Sequence, residues 1–158
     1  MKLHRAVMIG LALLAMTGCN GTVSQERSGE RADPVVEMLH QGVLGLTGNI
    51  DELKRHLAEL REIPPAADPV VQELQGLDLA AWQLHLQQWT LQRDHLAAAL
   101  DAIRRAKAAP QDKAAIGSQW AERQAQFATT LDELRTHRRQ LEKKRAELEA
   151  QMLEQYFK

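Results

Sequence analysis

Cys19 is the only thiol in the chain of 158 residues, and it closes the run Leu13-Leu14-Ala15-Met16-Thr17-Gly18-Cys19. An unpaired cysteine in an exported protein calls for a partner, a reactive role or a covalent modification. Export is indicated by what precedes it. Lys2 and Arg5 make a short basic start, residues 6–16 form an apolar stretch, and small residues stand at the cut. The stretch falls short of the ~20 residues that a helix needs to cross a bilayer. Residues 1–18 are therefore read as a signal peptide that is removed.

The Thr17-Gly18-Cys19 ending resembles the bacterial lipobox, although Met16 is not a favoured residue at its place in that pattern. The resemblance implies diacylation of the Cys19 sulfur, cleavage before it, and acylation of the new amino terminus. Several acyl chains, each methylene contributing ~0.8 kcal/mol, make such an anchor effectively permanent. In enteric bacteria an aspartate after the lipidated cysteine retains the protein in the inner membrane. Asn20 stands there instead, so the resemblance implies the outer membrane, facing the periplasm.

The remaining chemistry-bearing side chains do not converge in sequence. His40, His56, His85, His95 and His137 never stand three or four apart, so no two can clamp a metal on one helical turn. They read as scattered surface histidines, with His85 and His95 able to approach histidines of other helices. No glycine-rich phosphate loop, G-x-S-x-G or H-E-x-x-H motif occurs. Paired carboxylates such as Asp132 and Glu133 read as surface charges, with Asp132 placed to meet Arg135. The dense run Arg135, Arg138, Arg139, Lys143, Lys144, Arg145 can dock an anionic surface, but Glu142, Glu147 and Glu149 interleave it as in an ordinary solvated helix face. Neither a catalytic residue nor a cofactor is expected.

Lys158 follows Gln155-Tyr156-Phe157. A lipidated Cys19, a heptad helix and this lysine resemble Braun-type murein lipoproteins at the two ends of the chain. In that family the terminal lysine amine is joined to the peptidoglycan stem peptide, which implies the same role for Lys158. Phe157 departs from the arginine usual there, and a body that folds back departs from the family's single continuous helix.

These groups must be held by helices. The composition is rich in Ala, Leu, Gln, Glu and Arg and poor in aromatic residues, as long helices require. Removing residues 1–18 moves the formal charge from -1 to -3, which gives no support to a nucleic-acid partner. Residues 19–33 comprise the lipidated cysteine and a flexible tether with no apolar period, reaching ~20 Å as a random coil. The helical domain spans 34–158, with helices expected at about 34–63, 69–109 and 118–157.

The first helix carries Val36, Leu39, Val43, Leu46, Ile50, Leu53, Leu57 and Leu60 in alternating steps of three and four, a heptad seam. Gly42, Gly45 and Gly48 weaken it and predict a kink or a close approach. Ala32-Asp33-Pro34-Val35-Val36 recurs as Ala67-Asp68-Pro69-Val70-Val71, read as one capping device used twice. The second helix is apolar on two sides. Leu79, Trp82, Leu86, Trp89, Leu96, Leu100 and Ile103 make one face and Leu77, Leu84 and Leu91 the other, so it belongs between two neighbours. Pro110 and Gly117 bracket a loop, in which Asp112 can cap an early turn. The third helix repeats Trp120, Phe127, Leu134, Leu141 and Leu148 every seven residues, beside a mixed seam of Gln124, Leu131, Arg138, Arg145 and Met152.

The expected fold is all-α: a long antiparallel hairpin of the second and third helices with a shorter N-terminal helix, a three-helix coiled-coil bundle. Because the first helix is the shortest, residues 98–109 and 117–128 are expected to lack a third neighbour, at the same end as the tether. Trp120 and Phe127 would then be partly uncovered and available to a protein partner or a second copy. The expected function is non-enzymatic: a lipid-anchored helical scaffold or adaptor of a Gram-negative envelope. The alternatives are an outer-membrane-to-peptidoglycan tether through Lys158 and an envelope-stress or metal-responsive binder using dispersed histidines.

Overall fold

The computed structural model describes residues 33–157. The expected signal peptide, Cys19, the expected tether up to residue 32, and Lys158 lie outside them. Three helices, α1 (Pro34–Glu62), α2 (Pro69–Ala108) and α3 (Lys113–Tyr156), make an all-α bundle with no strand among the described residues. None of them is long and apolar enough to cross a membrane.

Two of the helices begin with the same device. Asp33 Oδ1 accepts the Val35 N–H at 3.0 Å, and Asp68 Oδ1 accepts those of Val70 and Val71 at 2.8 and 3.1 Å. Each aspartate thereby satisfies N–H groups that the first turn leaves unpaired, and a proline occupies the first helical position. Proline also sets the stops. Ile63 precedes Pro64 and takes an extended conformation (φ -67°, ψ 122°), because an αR residue there would clash with the ring that follows. Ala109 leaves the helix before Pro110 for the same reason (φ -132°, ψ 76°).

The third helix starts earlier than the expected 118. Pro110–Asp112 form a single 3₁₀ turn that runs straight into α3 at Lys113, and Gly117 lies inside the helix. No residue between α2 and α3 has a positive φ, so Gly117 is not needed to break the chain. Ile116 is buried in the first turn and gives that turn a tertiary anchor. Asp112 stands at the N-cap position without a side-chain hydrogen bond.

Helix α2 is the centre of the bundle. Its neighbours pack on it and not on each other: no Cα of α1 comes within 8 Å of one of α3. On the α1 side, Leu39, Ile50, Leu53 and Leu57 are buried and the other four members of the seam are half-buried. Leu39 joins Ala99 and Leu100, with Val35, Val36, Leu96, Ile103 and Trp120 packed around them. On the α3 side, Leu77, Leu131 and Leu148 are buried. Burial of this kind contributes about 25 cal/mol per Å² of apolar surface removed from water.

The register is antiparallel throughout. Lys107 Nζ meets Asp33 Oδ2 at 2.7 Å, so α1 begins beside the end of α2. Arg105 and Gln119 lie across the α2–α3 turn at 3.4 Å, while Lys144 and Glu73 pair at 2.7 Å near the opposite pole. This corrects the expected bare tip. The first turns of α1 cover residues 98–109, and the end that lacks α1 is the other one, where α2 starts and α3 finishes. The linker is responsible: residues 63–68 run back along α2, and the Ala66 N–H donates to Gln75 Oε1 at 3.0 Å. That displaces α1 toward the C-terminal end of its neighbour. Ile63, Leu153 and Phe157 are exposed at the pole so left uncovered.

The glycines of α1 divide by what lies above them. A Cβ at Gly42 would stand 3.0 Å from Leu96 Cδ1, whereas Gly45 and Gly48 face open space. The expected close approach is therefore at Gly42 alone, and α1 stays continuous through all three. Gly45→Ala and Gly48→Ala should each stabilise the protein by about 0.5–1 kcal/mol in urea unfolding. Gly42→Ala should gain less or lose, because Leu96 must shift.

Candidate functional site

Helix α2 carries two imidazoles on the side that α3 covers. His85 sits between two indoles of its own helix, Trp82 three residues before and Trp89 four residues after. Ring centroids are 6.0 Å apart to Trp82 (26° between planes) and 5.1 Å to Trp89 (61°). From α1, His56 meets Trp82 edge-on at 5.0 Å and 81°. Trp82 thus touches its neighbour on one side and lines a cleft on the other.

That cleft, of about 270 Å³, lies between α2 and α3. Leu77, Ala81, Trp82, Leu84 and Leu141 give it an apolar lining, and Asp78, His85, Gln88, Arg138, Glu142 and Arg145 supply the polar groups. The two guanidiniums are already engaged. Arg138 Nε donates to Glu142 at 2.8 Å, and Arg145 donates to Glu149 at 2.7 Å and to Asp78. The bond to Glu149, then the charges of Asp78 and Glu149, hold the Arg145 pKa above the usual arginine value.

Ten residues along α2, His95 is held by α3. Its ring stacks on Phe127 (3.9 Å, 17°) and on Trp120 (4.9 Å, 27°). Its Nδ1 is buried with no hydrogen-bond partner. Burial, and secondarily the charge of Arg123, lower its pKa. The same causes act on His85, with Arg138 as the neighbouring cation. Both imidazoles are half-buried, which corrects the reading of them as surface histidines. Neither meets a histidine of another helix at stacking distance; aromatic rings take that place.

The sequence-level candidates now have locations. Trp120 and Phe127 are half-buried, as expected, but each is occupied internally by His95, and Trp120 also packs against the Leu39 cluster. The basic run of α3 is largely neutralised in place. Arg138, Lys143, Lys144 and Arg145 pair with Glu142, Glu147, Glu73 and Asp78 respectively, and Arg135 and Arg139 remain exposed. Asp132 and Arg135 do not come within ion-pair distance. No group of three or more His, Cys, Asp or Glu side chains is gathered for a metal among the described residues. Cys19 and Lys158 are outside those residues.

Periodicity alone missed the two imidazoles, yet it held a usable signal. His95 stands four residues after Leu91 and so extends the face of Leu77, Leu84 and Leu91, which points at α3. Chemically, the arrangement is one of packing: stacked rings, an apolar cleft and paired charges at its rim. No family model matches the chain, and neither a curated protein nor a solved structure matches it.

Because Trp120 and Phe127 hold the hairpin together, Trp120→Ser and Phe127→Ser should each lower unfolding stability by about 2 kcal/mol, less than for a fully buried ring. Urea denaturation followed by circular dichroism checks this. Variants as stable as the parent would mean that these rings are not packed as described.

Proposed function

We propose that this protein is a lipid-anchored, periplasm-facing lipoprotein that acts as a non-enzymatic helical scaffold or adaptor in a bacterial cell envelope. One observation supports this reading more than any other. Asp33, where the tether meets the bundle, lies at the Lys107 pole of α2. The end of α3 lies at the opposite pole, ~60 Å away along a helix of 40 residues. A body entered at one pole and running to the other is suited to stand outward from a membrane that holds Cys19. Its helical faces then meet a protein partner or a second copy. The exposed apolar side chains of the far pole, Ile63, Leu153 and Phe157, are better placed for that contact than Trp120 and Phe127, which are engaged with His95.

The same polarity favours a second reading, in which Lys158 is joined to peptidoglycan. The residue follows Phe157 at the outward pole, the side on which the cell wall would lie. A lysine-linked muropeptide in digests of native cells supports it, and the lack of any such species excludes it. The metal-responsive reading gains no gathered ligand set from the described residues.

The anchor is the part to test first. Wild-type protein should incorporate labelled fatty acid and fractionate with membranes, and Cys19→Ser should do neither. A Cys19 sulfur found bare by mass spectrometry, or a Cys19→Ser protein still held by membranes, would refute the proposal.

A further inference from the structure

Helix α2 carries two imidazoles packed under α3, and both face an arginine of α3. We propose that the α2–α3 joint is an acid-sensitive latch, in which protonation of His85 and His95 loosens α3 while α1 stays seated on α2. The inference does not depend on the lipoprotein reading.

The geometry of His95 carries most of it. An imidazolium has two N–H donors, and each needs an acceptor. The buried Nδ1 of His95 has none, and the faces of the ring are closed by Phe127 and Trp120. A proton placed there stays unsatisfied until the helices part. Arg123 of α3, itself exposed, adds like-charge repulsion. The charged groups of α2 nearest in sequence, Arg93 and Asp94, are tied to each other at 2.7 Å. Residues 41–49 of α1, the stretch opposite by register, carry no charge, and His40 directly precedes them. Stacking on two aromatic faces favours a cation, but burial and Arg123 outweigh it, and the pKa falls below the ordinary 6.5.

His85 repeats the pattern in the cleft. Arg138 and Arg145 face it from α3, with Glu142 between them bound to Arg138 at 2.8 Å. On its own helix Asp78 is bound to Arg145, and on α1 His56 stands beyond Trp82 with Glu59 at 3.8 Å. Each of these carboxylates already has a partner, and the pKa of His85 is likewise lowered, first by burial and then by Arg138.

The sign of the effect follows. A histidine whose folded pKa lies below its unfolded value stabilises the fold fully above about pH 6.5, and that contribution is lost as pH falls through the folded value. The loss falls on α3 because its Trp120, Phe127 and Arg123 stand against His95 and its Arg138 and Arg145 against His85, whereas the α1 contact is mostly aliphatic, with His56 edge-on to Trp82. The α3 seam is also the weaker one, with Arg138 and Arg145 at positions where a heptad wants apolar residues. Parting the two helices would uncover Leu77, Leu131 and Leu148, a face fit for another helix.

Amide exchange of the whole chain at pH 7.5 and pH 5, corrected for intrinsic rates, tests this. Exchange in α3 should rise at least tenfold at the lower pH and that in α1 less than twofold. His85→Leu/His95→Leu should remove most of the difference. Equal change in both helices, or an unchanged response in the double variant, overturns the proposal. If that variant does not fold, titration of the wild-type imidazoles by nuclear magnetic resonance decides. Values below 6.5 for both support the latch, and a His95 that titrates at or above 6.5 overturns it.

Discussion

Helix α2 is apolar on two faces and cannot satisfy both against one neighbour. A helix of 40 residues standing alone would leave one row or the other in water. The bundle answers with a helix on each side of α2, and no Cα of α1 comes within 8 Å of one of α3, although Trp120 of α3 packs against the cluster that holds Leu39. Stability therefore passes through the middle member. The two sides are unequal. The α1 side closes on Ile50, 1% exposed, among other aliphatic residues, while the α3 side mixes leucines with stacked rings and charged seam positions.

Charge plays a different part. The pairs of Lys144 with Glu73 and Arg145 with Asp78 are half-exposed, and surface pairs of this sort contribute roughly 0–1 kcal/mol each. They matter more for where the helices sit than for how tightly. Shifting α3 by one turn would take Lys144 and Arg145 away from their acids. The linker accompanies the other register: the Ala66–Gln75 bond holds part of residues 63–68 along α2, and α1 begins beside the end of α2. The unequal coverage of the two poles follows from six linker residues.

The helices were legible in the sequence because strong local signals mark their ends. Asp-Pro starts and X-Pro stops depend only on neighbouring residues, and the bounds of α1 and α2 follow from them to within a residue. The two-faced pattern of α2 likewise announced its central place. Two things escaped. The start of α3 depends on burial of Ile116 and on a 3₁₀ turn, neither of which Gly117 advertises. The coverage of the tip depends on the path of the linker, a long-range property with no local code. The half-burial of His85 and His95 is not legible in their sequence separations, because it comes from α3 and from rings of α2. Trp120 and Phe127, expected as a partly uncovered partner surface, stack on His95, a contact invisible without the α2–α3 register.

The proposed function rests on polarity: the described body has an N-terminal pole at Asp33 and a far pole where α3 ends, and its packing chemistry is concentrated along α2 between them. Dipolar distance measurements by electron spin resonance test that layout most directly, with label pairs introduced into Cys19→Ser protein at exposed sites. Glu37 and Glu122 should lie near one another at the N-terminal pole. Glu37 and Glu154 should be separated by about 50 Å, the rise of some 34 residues of α2. Equal distances for the two pairs, or a short Glu37–Glu154 separation, would contradict the antiparallel bundle on which the account stands.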